Sequence, residues 1–158
     1  METSIDTLRV VSVALVNGVN ESLNVNGSVT PVSFSAVPPA GKKWRVKRIT
    51  GYIEGENPFS SEKFADLPAL ANGVVLKING VEITRWKTNR NMVFDMGFIE
   101  TPKALAKADR SLAGEFCFVK AFGEMLLVDS NTGGIEIVVN DNLSTVANFK
   151  VKVQGVVV

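Results

Sequence analysis

The sequence predicts an all-β protein: a jelly-roll or Greek-key β-sandwich with one or two short helices in long loops. Three observations carry this expectation. Glycines and Asn/Asp-Gly pairs punctuate the chain at short intervals, as turns do in sandwiches and barrels. Valine-rich runs fill those intervals, and β-branched side chains suit a pleated, half-buried surface. The excursion from Gly55 to Ala71 is too long for a tight turn, which implies a crossing connection rather than a simple meander.

The elements follow in order. Val11, Val13 and Leu15 share one parity and make a strand face. Val32, Phe34 and Ala36 make another, which Pro38-Pro39-Ala40-Gly41 stops, because proline has no N–H for a ladder. From Trp44 to Ile53 the parity is split. Trp44, Val46 and Tyr52 agree, while Ile49 and Ile53 have the opposite phase. Either a bulge between Val46 and Ile49 reconciles them, or both faces are partly covered.

Val74 to Ile83 reads as a hairpin. Asn79-Gly80 suits a two-residue type I′ turn, whose central residues both need positive φ. That register pairs Ile78 with Val81 and Leu76 with Ile83. Val74, Leu76, Ile78, Val81 and Ile83 then share one face, with Val75, Lys77 and Glu82 on the other. Thr101-Pro102, the alanine-rich stretch after it and Gly114 resemble an N-cap, an N1 proline and a C′ glycine, so a short helix is expected there. Ile135, Ile137 and Val139 form a further strand face, followed by an Asn140-Asp141-Asn142 turn. Phe149, Val151 and Val153 alternate with Lys150, Lys152 and Gln154, and Val156-Val157-Val158 leaves an apolar end.

Length fits one domain over residues 1–158, large enough to bury a core without staples. Seventeen basic residues against 16 acidic ones give a net charge of +1. No general drive toward nucleic acid or an anionic membrane follows from that balance. Cys117 is the sole cysteine, so an intrachain disulfide is excluded. Between Phe116 and Phe118 it reads as a small buried apolar residue. The first residues are polar and acidic, unlike a secretory signal, and no run approaches the roughly 18 apolar residues of a membrane span. The expectation is synthesis and folding in cytoplasm. Histidine is absent, which removes Ser-His-Asp and Cys-His nucleophile pairs and His-ligated metal sites. Only carboxylate, lysine or tyrosine chemistry remains open, and no catalytic residue, cofactor or metal is assigned.

The remaining candidates concern contact. Lys42, Lys43, Arg45, Lys47 and Arg48 form the densest charge cluster. They read either as a solvated strand face or as an electrostatic patch for an acidic partner. Aromatic interleaving is thin, which argues against nucleic acid. Glu54, Glu56, Glu62 and Asp66 cluster near one excursion, but a glycosidase needs two carboxyls roughly 5 to 9.5 Å apart across a cleft. Asp129, Asn131, Asp141 and Asn142 offer oxygen atoms from two loops without EF-hand spacing. Trp86 and Phe94 flank a polar stretch, and exposed aromatics there or at Trp44 would suit a sugar platform. Val156, Val157 and Val158 read as a final strand in its own sheet or as a segment buried against a neighbouring subunit.

Gly41-Lys42-Lys43-Trp44-Arg45-Val46-Lys47-Arg48-Ile49, followed by Phe64-Ala65-Asp66-Leu67-Pro68-Ala69-Leu70-Ala71-Asn72-Gly73-Val74, resembles small virion structural proteins of tailed bacteriophages. Their texture is a "Gly-Lys-x-Trp-x-Val-x-Arg" strand and a "Leu-x-x-Leu-x-Asn-Gly" turn. The likeness covers roughly residues 30–100. It implies a non-enzymatic jelly-roll-like protein that decorates or cements a capsid, or forms part of a neck or tail. It implies no catalytic residues. The expected partners are further copies of the chain and the major capsid protein or another virion protein, with neither nucleic acid nor membrane, and the expected location is the virion. Expected contacts are the basic strand Lys42–Arg48, Phe59 and Phe64 in the long excursion, and the tail Val156, Val157 and Val158. A tail, collar or baseplate component and a carbohydrate- or receptor-binding sandwich are the alternatives.

Overall fold

The computed structural model describes residues 10–54, 70–86, 95–100, 110–144 and 148–158. These form ten strands and one short helix. The elements are β1 (Val10–Ala14), β2 (Val32–Ala36), β3 (Lys43–Glu54), β4 (Val74–Ile78), β5 (Val81–Trp86), β6 (Asp95–Glu100), β7 (Arg110–Cys117), α1 (Phe118–Phe122), β8 (Leu126–Asp129), β9 (Ile135–Val139) and β10 (Asn148–Val157).

Every pairing is antiparallel. One sheet runs β1-β10-β3-β7-β6, with β8 also paired to β3; the other runs β2-β9-β4-β5. Set the β6–β7 hairpin aside and the sheets read β1-β10-β3-β8 and β2-β9-β4-β5. The pairs nest: β4 with β5, β3 with β8, β2 with β9, and β1 with β10. One long hairpin rolled into two sheets gives this order, which is the jelly roll. The β6–β7 hairpin and α1 are inserted between β5 and β8.

The two sheets enclose one core. Phe34, Leu76, Ile135 and Ile137 from one sheet meet Trp44, Val46, Ile49, Val151 and Val153 from the other. Leu15 and Leu23, fully buried, join it from the first connection. Fully burying such a side chain stabilises by about 1.5–3 kcal/mol relative to exposure. The faces expected for β2, β9 and β10 are the faces that point inward. Of the face expected around β1, Val11 and, just past the strand, Leu15 are buried, whereas Val13 remains 39% exposed on this edge strand.

The split parity of β3 has a single cause. Gln154 pairs with Arg48 and Gly155 with Val46, so Lys47 has no partner in β10. This is the expected bulge, and it lets Trp44, Val46 and Ile49 all reach the core at 4%, 0% and 0% exposure. It also marks a change of neighbour on the far side of β3. Residues Lys43–Val46 pair with β8, and Arg48–Glu54 pair with β7.

Two expectations are corrected. In the β4–β5 hairpin, Asn79 and Gly80 have φ of 50° and 78°, as a type I′ turn requires, and Ile78 pairs with Val81. Beyond Glu82 the register shifts, so Leu76 pairs with Thr84 and Ile83 is the extra residue. Val81 and Ile83 are 61% and 37% exposed instead of buried. β5 is an edge strand, where bulges are common and blunt strand addition. The bulge places Glu82 and Arg85 on one side, where the guanidinium makes two bonds to the carboxylate at 3.0 and 3.1 Å.

The helix expected from Thr101 to Gly114 is also corrected, because Arg110–Gly114 belongs to β7. Gly114 pairs with Gly51 on one side and Met96 on the other instead of capping a helix. Pairing on both edges supplies backbone partners that override local helix preference. Residues 101–109 lie outside the described residues. The helix that does form, α1, ends at Gly123, whose φ of 80° and N–H bond to the Val119 carbonyl close the last turn.

Candidate interaction surface

The outer face of the first sheet carries the charge cluster. Trp44, Val46 and Val128 point inward and are buried, so alternation turns Arg45 and Leu127 outward. Register then aligns Val10, Val156, Arg45 and Leu127 across four strands. The next row holds Ser12, Gln154, Arg48 and Cys117. Lys47, the bulged residue, sits between the rows.

Two hollows open here. One, of about 410 Å³, is bordered by Val10, Val156, Lys47, Arg48, Gln154 and Met125. The other, of about 490 Å³, is bordered by Arg45, Glu124, Leu127 and again Met125. Val10, Leu127 and Met125 are 71%, 48% and 46% exposed. The adjoining chain segment also exposes Val119 and Phe122, the latter stacked on the buried Phe118 ring at 6.2 Å.

The cations differ in their surroundings. Lys43 lies 3.5 Å from the Asp129 carboxylate across the β3–β8 pair. The Asn131 backbone N–H and, after it, the Lys43 charge hold Asp129 below the ordinary carboxyl range. Arg48 donates from Nε to the Gln154 side-chain oxygen. Arg45 and Lys47 are exposed and have no ion-pair partner among the described residues. Lys42 is exposed in the turn before β3, its N–H bonded to the Pro39 carbonyl.

The apolar tail is paired within its own sheet. Val156 and Val157 lie opposite Arg45 and Trp44, and the Val158 N–H donates to the Lys43 carbonyl at 2.9 Å. Val157 packs against the core, while Val158 is 57% exposed. Phe59 and Phe64 lie outside the described residues, so the structure joins Arg45, Lys47, Arg48 and Val156 but does not place those two rings. Reading the sequence missed Met125, Leu127 and Val10. A signal existed for two of them: Met125-Leu126-Leu127-Val128 is apolar at four successive positions, and a strand through it must turn one side to solvent.

The other candidates resolve differently. Trp44 is buried and offers no stacking surface, which removes one of the two places for a sugar platform. Phe94 and the Trp86 side chain lie outside what is described. Cys117 is half-buried rather than buried. Asp141 spends its carboxylate on the N–H groups of Ala71, Asn72 and Gly73. Asp129 accepts from the Asn131 N–H, and Asn142 accepts from Ser144. The four residues therefore serve separate turns rather than one cation site. Glu56, Glu62 and Asp66 lie outside the described residues. Among the described residues, no helix is long and apolar enough to cross a membrane. Comparison of the chain with known protein families, characterised proteins and solved structures finds no match.

Proposed function

We propose that this protein is a non-enzymatic structural component of a tailed-phage virion: a capsid decoration or cement protein that bridges major capsid subunits as a homo-oligomer. The observation that supports this reading most is the outer face of the first sheet, where aliphatic side chains and cations are held in register on rigid strands. A contact surface of this kind suits protein partners, because apolar area contributes affinity and charge contributes register. The resemblance of the Gly41–Ile49 strand and the Leu67–Val74 turn to phage virion proteins points the same way. Repetition over a lattice lets a weak contact act through many copies.

The test uses heads of the encoding phage assembled without this protein. Purified protein is expected to self-associate in light scattering and to co-sediment with such heads to saturation. A monomer that stays in the supernatant overturns the proposal. Antibody labelling of whole particles that lands on the tail, collar or baseplate moves the protein there.

A further inference from the structure

We propose that the row Val10–Val156–Arg45–Leu127, with Lys47 beside it, docks an extended protein segment that turns both carboxylates and aliphatic side chains toward it. The inference deepens the assembly reading above and rests on it.

The row is amphipathic. Val10, Leu127 and Met125 expose aliphatic surface, and the two hollows that flank the row meet at Met125. Covering that surface is favourable at roughly 25 cal/mol per Å². A cover would also remove Arg45 and Lys47 from water. Burying a cation is unfavourable unless a counter-charge comes with it. Neither residue has an ion-pair partner among the described residues, and Glu124 is the one carboxylate among those bordering the hollows. The occupant must therefore bring its own acids.

A polyanion alone does not fit. Phosphates would satisfy Arg45 and Lys47 but leave the valine, leucine and methionine surface uncovered. No aromatic ring borders either hollow to stack on a base. Dimensions favour a short segment. Strands lie about 4.8 Å apart, so four strands span about 14 Å, which four or five extended residues cross. Every second side chain of such a segment faces the row, so a carboxylate for Arg45 and aliphatic side chains for its valine and leucine neighbours must lie two residues apart.

The probes are fluorescent synthetic peptides of about twelve residues, long enough to overrun the row at about 3.3 Å per residue. One repeats Glu-Ser-Val-Ser, which sets Glu and Val on the same face. A second replaces each Glu by Ser, and a third replaces each Val by Ser. A single-stranded oligothymidylate and vesicles containing phosphatidylserine accompany them. The Glu/Val peptide is expected to bind best and to weaken as salt rises from about 50 to 300 mM. Arg45→Glu, Lys47→Glu and Leu127→Ser should each weaken it by about tenfold, whereas Lys77→Ala, on the other sheet, should not. Circular dichroism confirms that each variant is folded. Absence of binding, equal binding of any other probe, or indifference to these substitutions overturns the site. Head binding separates the two proposals. Peptide binding without head binding overturns the virion reading alone. Head binding by the wild-type protein that Arg45→Glu leaves unchanged overturns this site alone.

Discussion

The N–H of Gly73 donates to Oδ2 of Asp141 at 2.6 Å, and the same carboxylate accepts from Ala71 and Asn72. One buried side chain thus holds Ala71, Asn72 and Gly73, the three residues before β4. The Asp141 carbonyl accepts from Gly27 as well, so three connections meet at this residue. A buried N–H left without an acceptor costs about 1–3 kcal/mol. Asp141→Ala is expected to destabilise by about 3 kcal/mol or more, and Asp141→Asn by roughly half as much because one carbonyl oxygen remains. Urea unfolding measures both. A loss below about 1 kcal/mol for the alanine variant would show that water replaces the carboxylate.

Gly155 sits where β10 faces the bulge of β3. A Cβ there would stand 2.2 Å from the Arg45 carbonyl oxygen and 2.9 Å from the Val46 Cα. Backbone cannot swing aside as a side chain would. Gly155→Ala is therefore expected to cost about 2–3 kcal/mol, although alanine suits strands no worse than glycine does. Deleting Lys47 should cost less, because Arg48 then follows Val46 directly and Trp44, Val46 and Ile49 keep one face by plain alternation. Thermal unfolding of the two variants ranks them, and a deletion variant less stable than Gly155→Ala would sink this account of the bulge.

That bulge was legible in the sequence because Trp44, Val46 and Ile49 could not share a face otherwise. The second bulge was not. Unshifted pairing about the Asn79-Gly80 turn sets Val81 and Ile83 on the face of Leu76 and Ile78, so the apolar pattern endorsed a hairpin that the structure lacks. The shifted register brings Glu82 beside Arg85 and Arg85 to the Asn72 carbonyl; neither contact leaves a trace in hydrophobic periodicity. The expected helix failed for a related reason, since Gly114 reads as a cap locally but as a strand residue between two partners. The all-β class followed from spacing, whereas the contact row depended on which strands became neighbours, and no local pattern encodes that. The corrected register has a consequence. Val81→Thr and Ile83→Thr should change stability by about 0.5 kcal/mol or less, as exposed positions do, while Leu76→Ala should cost about 2–5 kcal/mol. Comparable losses at all three would restore the unshifted pairing.

Acid should weaken the fold through two surface pairs. Hydrogen bonding to Arg85 holds the Glu82 carboxyl below its ordinary 4.5, and the Asn131 N–H, with Lys43, holds Asp129 below 3.8. A carboxyl depressed in the folded state contributes stability above its unfolded pKa and loses it as pH falls through the folded value. The midpoint of thermal unfolding should hold from neutrality to about pH 5 and fall below that. A Glu82→Gln, Asp129→Asn double variant should start lower and fall less steeply over the same range. Parallel curves for the two proteins would mean that neither pair contributes.

Asn79 links the sheets at the opposite end of the hairpin. Its side-chain amide donates to the Leu127 carbonyl at 3.1 Å, and its oxygen accepts from the Thr132 hydroxyl at 2.7 Å. Its own N–H donates to the Gly134 carbonyl, which ties the β4–β5 turn to the β8–β9 connection. The residue also carries the positive φ of the turn. Two substitutions separate these roles. Asn79→Gly keeps the backbone conformation and loses the side-chain bonds, for about 1–2 kcal/mol. Asn79→Ala loses both, and the left-handed backbone adds about 1–2 kcal/mol. Chemical denaturation should place the alanine variant below the glycine variant. Hydrogen exchange should accelerate in β8 for both, because the lost bonds anchor that strand's neighbourhood. If glycine equals wild type, Asn79 serves only the turn, and β8 (with Leu127 in the contact row) is held by β3 alone.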